Sequence, residues 1–289
     1  MEAKDNRSVA NQGEPPEAWF MESSVGSWSM ALVPEDAALA WADENLALVA
    51  AWPANPLEEK MERGLGGTLE RGPDLQLGKR RASATYRHWL SSRTALYHLI
   101  GPGIQRLIKT SQGKPVLMGD QKPTQISLSH TGGMGAAAME GPSGLQRVGV
   151  DIEVLQRRHA KVLPRIGHEE EIQRVMEIAG PAMGAGLLWV IKEACYKSGL
   201  IEGNMFGKNQ LITKIKKTEY PLKTSLVSDV LMNCDRTGIA FKTCKPVWTG
   251  EVKQGLSPEE FIAFEAGWVG SLDKAWLWCV AYPQVLNGG

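Results

Sequence analysis

The sequence is short of cysteine, has no excess charge of either sign and contains no long apolar run. Its four cysteines are Cys195, Cys234, Cys244 and Cys279, with gaps of 39, 10 and 35 residues. None forms a C-x-x-C pair, and the spacing matches no zinc site. They read as reduced thiols of a cytoplasmic protein, since that compartment keeps thiols reduced. Lys plus Arg number 32 and Asp plus Glu number 32, so the formal net charge is zero. A neutral chain is poorly suited to broad nucleic-acid binding, which draws its affinity from neutralised phosphates, although a local basic pocket stays open. No apolar stretch approaches the roughly 18 residues of a membrane span. The N-terminus, MEAKDNRSVANQGEPPEAW, lacks the apolar segment of a secretory signal.

Phe and Tyr are scarce at five each, against ten Trp. The tryptophans read as core and interface anchors, because each buries a large area. The composition is otherwise that of a globular protein, with 43% hydrophobic and 22% charged residues over 289 positions. At roughly 150 residues per domain, this length suggests about two domains.

Residues 1–22 are polar and proline-bearing, and are predicted to be disordered. Ser27–Val33 alternates loosely, as a strand does. Pro34–Ala51 is rich in helix formers and opens on Pro34, Glu35 and Asp36, a helix start. Gly64–Gly78 reads as a loop, Ala82–Ile100 as a second helix, and Ile104–Lys109 as a short element. Gln125–Leu128, Gly135–Met139 and Arg147–Val154 read as strands. Gly167–Ile178 and Gly184–Ser198 read as helices, and strands and turns follow to Ala275–Tyr282. The expected organisation is an extension over 1–22, one α+β half over 23–144 and another over 145–289.

Four constellations carry chemical content. In Arg147–Val154, side chains alternate, so Val148, Val150, Ile152 and Val154 share one face while Asp151 and Glu153 share the other. Two carboxylates on one rigid face are unfavourable unless a cation or a partner sits between them, and Mg2+ suits such oxygen donors. A solvated acidic edge strand has the same pattern. In Gly184–Gly199, Leu187, Leu188, Val190, Ile191, Ala194 and Cys195 form an apolar arc, with Trp189, Lys192, Glu193, Tyr196 and Lys197 assigned to the opposite arc. Glu193 and Lys197 are an i,i+4 pair, also found on ordinary surface helices.

Ile126–Gly133 runs a strand into Ser129-His130 and a Gly-Gly turn, where hydroxyl, imidazole and open backbone N–H groups suit a phosphate. A polar turn with a solvated His fits equally. Ser129 and His130 are no catalytic dyad, because neighbours on a strand point to opposite faces. Residues 79–93 hold five Lys and Arg and no acid, namely Lys79, Arg80, Arg81, Arg87 and Arg93. They form either a polyanion site or a solvated basic helix face.

In this order, Gly113-Lys114-Pro115, Ser129-His130-Thr131-Gly132, Gly149-Val150-Asp151-Ile152-Glu153 and Trp189-Val190-Ile191-Lys192-Glu193-Ala194-Cys195-Tyr196-Lys197 resemble the 4′-phosphopantetheinyl transferase superfamily. Each piece is weak, but the ordered set is specific, and it covers Arg80 to Lys197. The length resembles the large, Sfp-type members rather than the small trimeric type.

The resemblance implies an α+β monomer of two similar halves related by a pseudo-twofold, each with a small sheet packed on helices and a coenzyme A cleft between them. It implies transfer of the 4′-phosphopantetheine arm of coenzyme A to a serine of an apo acyl or peptidyl carrier protein. The other product is adenosine 3′,5′-bisphosphate. Mg2+, or Mn2+, would be held by Asp151, Glu153 and Glu193. The implied catalytic residues are Glu193, the general base, with Asp151 and Lys197. Coenzyme A contacts are implied for Arg93, Lys114, Pro115, Ser129, His130, Lys192 and Lys197, and by a looser match for Arg80 and Arg81. A catalytically inactive module that binds coenzyme A or a carrier protein is the alternative. Neither nucleic acid nor membrane is an expected partner.

Overall fold

Period-two alternation on the strands distributes the core into three layers. The computed structural model describes residues 18–22, 28–45, 49, 52, 83–101, 104, 107–110, 114–118, 123–141, 147–155, 161–201, 210–218, 232–233, 240–243, 247–254, 261–271 and 274–283. Their elements run β1 (Ala18–Glu22), β2 (Trp28–Pro34), α1 (Glu35–Glu44), α2 (Ala84–Ile100), β3 (Leu107–Lys109), β4 (Pro115–Leu117), β5 (Thr124–Thr131) and β6 (Met134–Glu140). They continue with β7 (Gly149–Val154), α3 (Leu163–Ile166), α4 (Glu169–Ala179), α5 (Pro181–Ser198), β8 (Gln210–Lys217), β9 (Met232–Asn233), β10 (Ala240–Thr243), β11 (Trp248–Gln254), β12 (Phe261–Ser271) and β13 (Lys274–Pro283).

One sheet has the order β3-β4-β5-β6-β2-β1-β10-β9 and the other β7-β13-β12-β11-β8. Pairing is antiparallel throughout, except that β10 joins β1 in parallel. Late strands β9 and β10 therefore complete the sheet formed by the first part of the chain.

On β2, Ala31 and Val33 face α1 and α2, while Trp28, Met30 and Leu32 face the other way. There they meet Val150 and Ile152 of β7 and Trp276, Trp278 and Val280 of β13. The opposite face of β13, Leu277, Cys279 and Ala281, packs on Leu187, Leu188, Val190 and Ile191 of α5. The order is helices, sheet, sheet, helices, so the central strands of both sheets are covered on both faces. This is the expected α+β architecture, with a sheet against helices in each part.

Gly149 sets how closely α5 lies on β7, since a Cβ there would collide with the backbone of Ala194 and Ser198. Gly199 ends α5 with φ 69°, the left-handed cap that glycine adopts without penalty. No helix among the described residues is long and apolar enough to cross a membrane.

The N-terminal expectation needs one correction, because Ala18–Glu22 is a strand and not disordered. Its order comes from pairing with β2 and β10, which local composition does not encode. Helix α1 stops at Glu44, short of the expected end. Residues 1–17 and the Gly64–Gly78 loop lie outside the described residues. The two described cysteines, Cys195 and Cys279, are buried free thiols, and burial pushes the Cys195 thiol up to about 12.

Candidate active site

The two sheets meet through side chains where β5 passes the edge strand β7. On β5, Ser127, Ser129 and Thr131 share a face and are buried. The Ser127 hydroxyl accepts from the Val150 N–H at 2.9 Å, satisfying a backbone donor on the open edge of β7. The Ser129 hydroxyl donates to Asp151 Oδ1 at 2.8 Å, and the Thr131 hydroxyl donates to Glu153 Oε2 at 3.2 Å. From Ser129–Asp151 to Thr131–Glu153 both strands advance two residues, so they run side by side in the same direction.

Helix α5 closes the third side. Trp189, Glu193 and Lys197 recur every fourth residue and form one stripe. Trp189 Nε1 donates to Glu153 Oε1 at 3.2 Å. Lys197 Nζ donates to Asp151 Oδ1 at 2.6 Å and to Ser129 Oγ at 2.9 Å, and lies 3.9 Å from Glu193 Oε2. Ser129, Asp151 and Lys197, from three separate elements, thus form one closed hydrogen-bonded triangle.

The acidic face of β7 is therefore not a solvated edge. Asp151 and Glu153 are 3% and 7% exposed. Burial pushes the Asp151 carboxyl above its ordinary value, against the pull of Lys197 and Ser129. Its Oδ2 is buried without a hydrogen-bond partner. Glu193 is more open, with 21% of its side chain exposed.

Arg93 of α2 is a buried guanidinium whose Nε has no hydrogen-bond partner. Burial alone lowers it, to about 10. It lies close enough to His130 to act on that ring. Desolvation, reinforced by His88, Lys197 and Arg93 and opposed by Glu153, pushes the His130 imidazole down to about 4. His130 thus stays neutral at pH 7 amid cations, which is a setting that favours an anion. Lys114 opens β4 beside Pro115, and its ammonium packs over Gly199 just past Lys197.

Lys192 does not join this cluster. It is 1% exposed, pairs with the buried Glu171 Oε1 at 2.7 Å and donates to the Gln210 carbonyl. It stands one turn from Leu188, on the core side of α5, and not on the outer arc assigned from the sequence. Arg80 and Arg81 lie outside the described residues.

Asp151, Glu153 and Glu193 offer carboxylate oxygens, the donors Mg2+ prefers. The orphaned Asp151 Oδ2 is a donor atom left over by the protein's own contacts. Among the described residues no group of three or more His, Cys, Asp or Glu closes into a metal cage. Lys197 instead spans Asp151 and Glu193. The donor chemistry fits the ion.

Sequence reasoning missed Glu35 and His88. In the sequence Glu35 is part of a helix start, and in the structure it is buried against the β5–β6 turn. His88 stacks on His130 with ring centroids 4.5 Å apart. Neither carries a sequence signal beyond its residue type.

Buried acids, a lysine and hydroxyls from three elements thus meet at the junction of the two sheets. Residues 147–216, from just before β7 into β8, match the family model of the 4′-phosphopantetheinyl transferase superfamily. The match bears out the superfamily that the motifs resemble, and it contains Asp151, Glu153, Glu193 and Lys197. No curated protein matches the chain.

Proposed function

We propose that this protein transfers the 4′-phosphopantetheine group of coenzyme A to a serine of an apo acyl or peptidyl carrier protein, with Mg2+, releasing adenosine 3′,5′-bisphosphate. The observation that carries the reading is the Ser129–Asp151–Lys197 triangle, built from motif residues far apart in sequence.

The roles are those that the resemblance implies, and exposure and charge support them. Glu193 is the acid that solvent and a carrier serine can reach, so it takes the serine proton as general base. The serine oxygen attacks the phosphorus of the phosphopantetheine arm. The bond from that phosphorus to the bridging pyrophosphate oxygen breaks, and adenosine 3′,5′-bisphosphate leaves. Lys197, anchored by Asp151, brings positive charge to the pyrophosphate. Ser129, His130 and Arg93 hold coenzyme A phosphates, and Arg93 meets the 3′-phosphate. Lys114 and Pro115 flank the adenosine. Asp151, Glu153 and Glu193 would hold Mg2+, which when bound neutralises charge on the pyrophosphate.

The test couples calorimetric titration of coenzyme A with chromatographic detection of adenosine 3′,5′-bisphosphate. The reading expects binding, and product release only when an apo carrier protein and Mg2+ are both present. Binding with no release across fatty-acid, polyketide and non-ribosomal-peptide carriers would favour the inactive binding module. Absence of binding would overturn the site.

A further inference from the structure

The turn joining β5 to β6 follows directly from Ser129 and His130, and it is clasped by a residue near the start of the chain. Glu35 opens α1 and is 5% exposed. Its backbone N–H donates to the Gly133 carbonyl at 3.0 Å. Its Oε1 accepts from the Gly133 N–H at 3.2 Å. One residue thus grips both backbone groups of Gly133.

The same oxygen lies 3.2 Å from His88 Nε2, while Oε2 lies 3.6 Å from Arg87 Nε. A carboxylate only accepts, so this contact sets the His88 proton on Nε2 and fixes the ring. That ring lies on His130 at an interplanar angle of 17°. Trp276 Nε1 donates to the Gly132 carbonyl of the same turn at 3.2 Å. His130 as a residue is exposed and its ring is only partly desolvated, so packing alone does not hold it.

We propose that Glu35 is a positioning residue for the anion site, holding the turn through Gly133 and orienting His130 through the stacked His88. The proposal rests on the reading of Ser129 and His130 as coenzyme A phosphate contacts. It assigns a role in that site to a part of the chain that carries none of the superfamily motifs. A preset ring and turn lower the ordering cost of binding, so the effect falls on affinity and not on turnover.

The test uses the full chain with His88→Ala, His88→Phe, Glu35→Gln and Glu35→Ala. Each is measured for thermal unfolding, for His130 imidazole resonances by NMR, for coenzyme A affinity by calorimetry and for kcat and KM. His88→Ala is expected to move the His130 resonances and weaken coenzyme A about tenfold, with kcat nearly unchanged. His88→Phe keeps a ring on His130 and is expected to restore most of that affinity. Glu35→Ala should behave as His88→Ala or worse, and Glu35→Gln should fall between. If Glu35→Ala fails to fold, Glu35→Gln decides the part played by Glu35, and affinity equal to the wild type's with unmoved His130 resonances in that variant would overturn it; the two His88 variants decide the stack. Unmoved His130 resonances in folded His88→Ala, or equal affinity in His88→Ala and His88→Phe, would overturn the proposal. If the wild type binds no coenzyme A, the functional reading fails, and the His130 resonances alone decide the clasp.

Discussion

Ser129 donates its hydroxyl hydrogen to Asp151 across the junction of two sheets, at 2.8 Å. The same hydroxyl oxygen accepts from Lys197 at 2.9 Å, so a strand, an edge strand and a helix share one small polar centre. Truncating any one member removes one hydrogen bond from each of the other two.

Asp151→Asn is expected to abolish transfer while the protein stays folded. The folded-state pKa of Asp151 is raised, so folding favours its protonated form. Stability from this group therefore declines as pH rises from the ordinary carboxylate value through the folded pKa. The variant removes that slope, and above the window its melting temperature should be no lower than the wild type's. Ser129→Ala should raise KM for coenzyme A by about tenfold, the cost of one hydrogen bond to a charged group. Steady-state kinetics and thermal melts at several pH values check both.

Arg93 is a cation buried without a partner for its Nε. The account expects the wild type to prefer coenzyme A over dephospho-coenzyme A, which lacks the 3′-phosphate. Arg93→Met should erase that preference, and because it removes a guanidinium whose Nε is buried unpaired it should leave the fold no less stable. Calorimetric affinities for the two ligands give the ratio directly. A preference that survives in the variant would place the 3′-phosphate elsewhere.

Lys192 and Glu171 form a buried pair with side-chain exposures of 1% and 0%. Glu171 also accepts from the Ile212 N–H at 2.6 Å, tying α4 and α5 to β8. Breaking such a pair from one side costs about 3–5 kcal/mol, because a charge is left buried alone. Lys192→Met should therefore destabilise strongly, and Lys192→Met with Glu171→Gln should recover much of the loss. Denaturant melts of the single and double variants measure the coupling.

His98 is pushed down to about 3 by burial, from an ordinary value of 6.5. The unfolded chain takes up a proton below pH 6.5 that the folded chain refuses until about pH 3. Stability from this group is therefore full above pH 6.5 and is lost as pH falls through that window. His98→Gln should show a shallower fall in melting temperature between pH 6.5 and pH 4, a window set by the general titration of histidine. Equal slopes in the two proteins would contradict the burial of this imidazole.

Strand β7 and helix α5 were legible because their periodicities are strong and their motif residues lie on them. The burial of the acidic face was not, because alternation says which residues share a face but not what covers it. Lys192 was placed on the wrong arc, since a lysine one turn from Leu188 enters the core only if a partner meets it. That partner, Glu171, sits in the run Glu169–Glu171, which reads as an ordinary acidic helix start. Strand β1 and the Glu35 clasp depend on contacts distant in sequence, and no local pattern announces either.

Intact mass spectrometry of an apo acyl carrier protein incubated with this protein, coenzyme A and Mg2+ decides whether transfer occurs. The account predicts a mass increase of one phosphopantetheine on the carrier serine. It also predicts loss of that increase with EDTA and with Asp151→Asn. A full increase with Asp151→Asn would contradict the site, and an unmodified carrier across all three carrier classes would contradict the transferase.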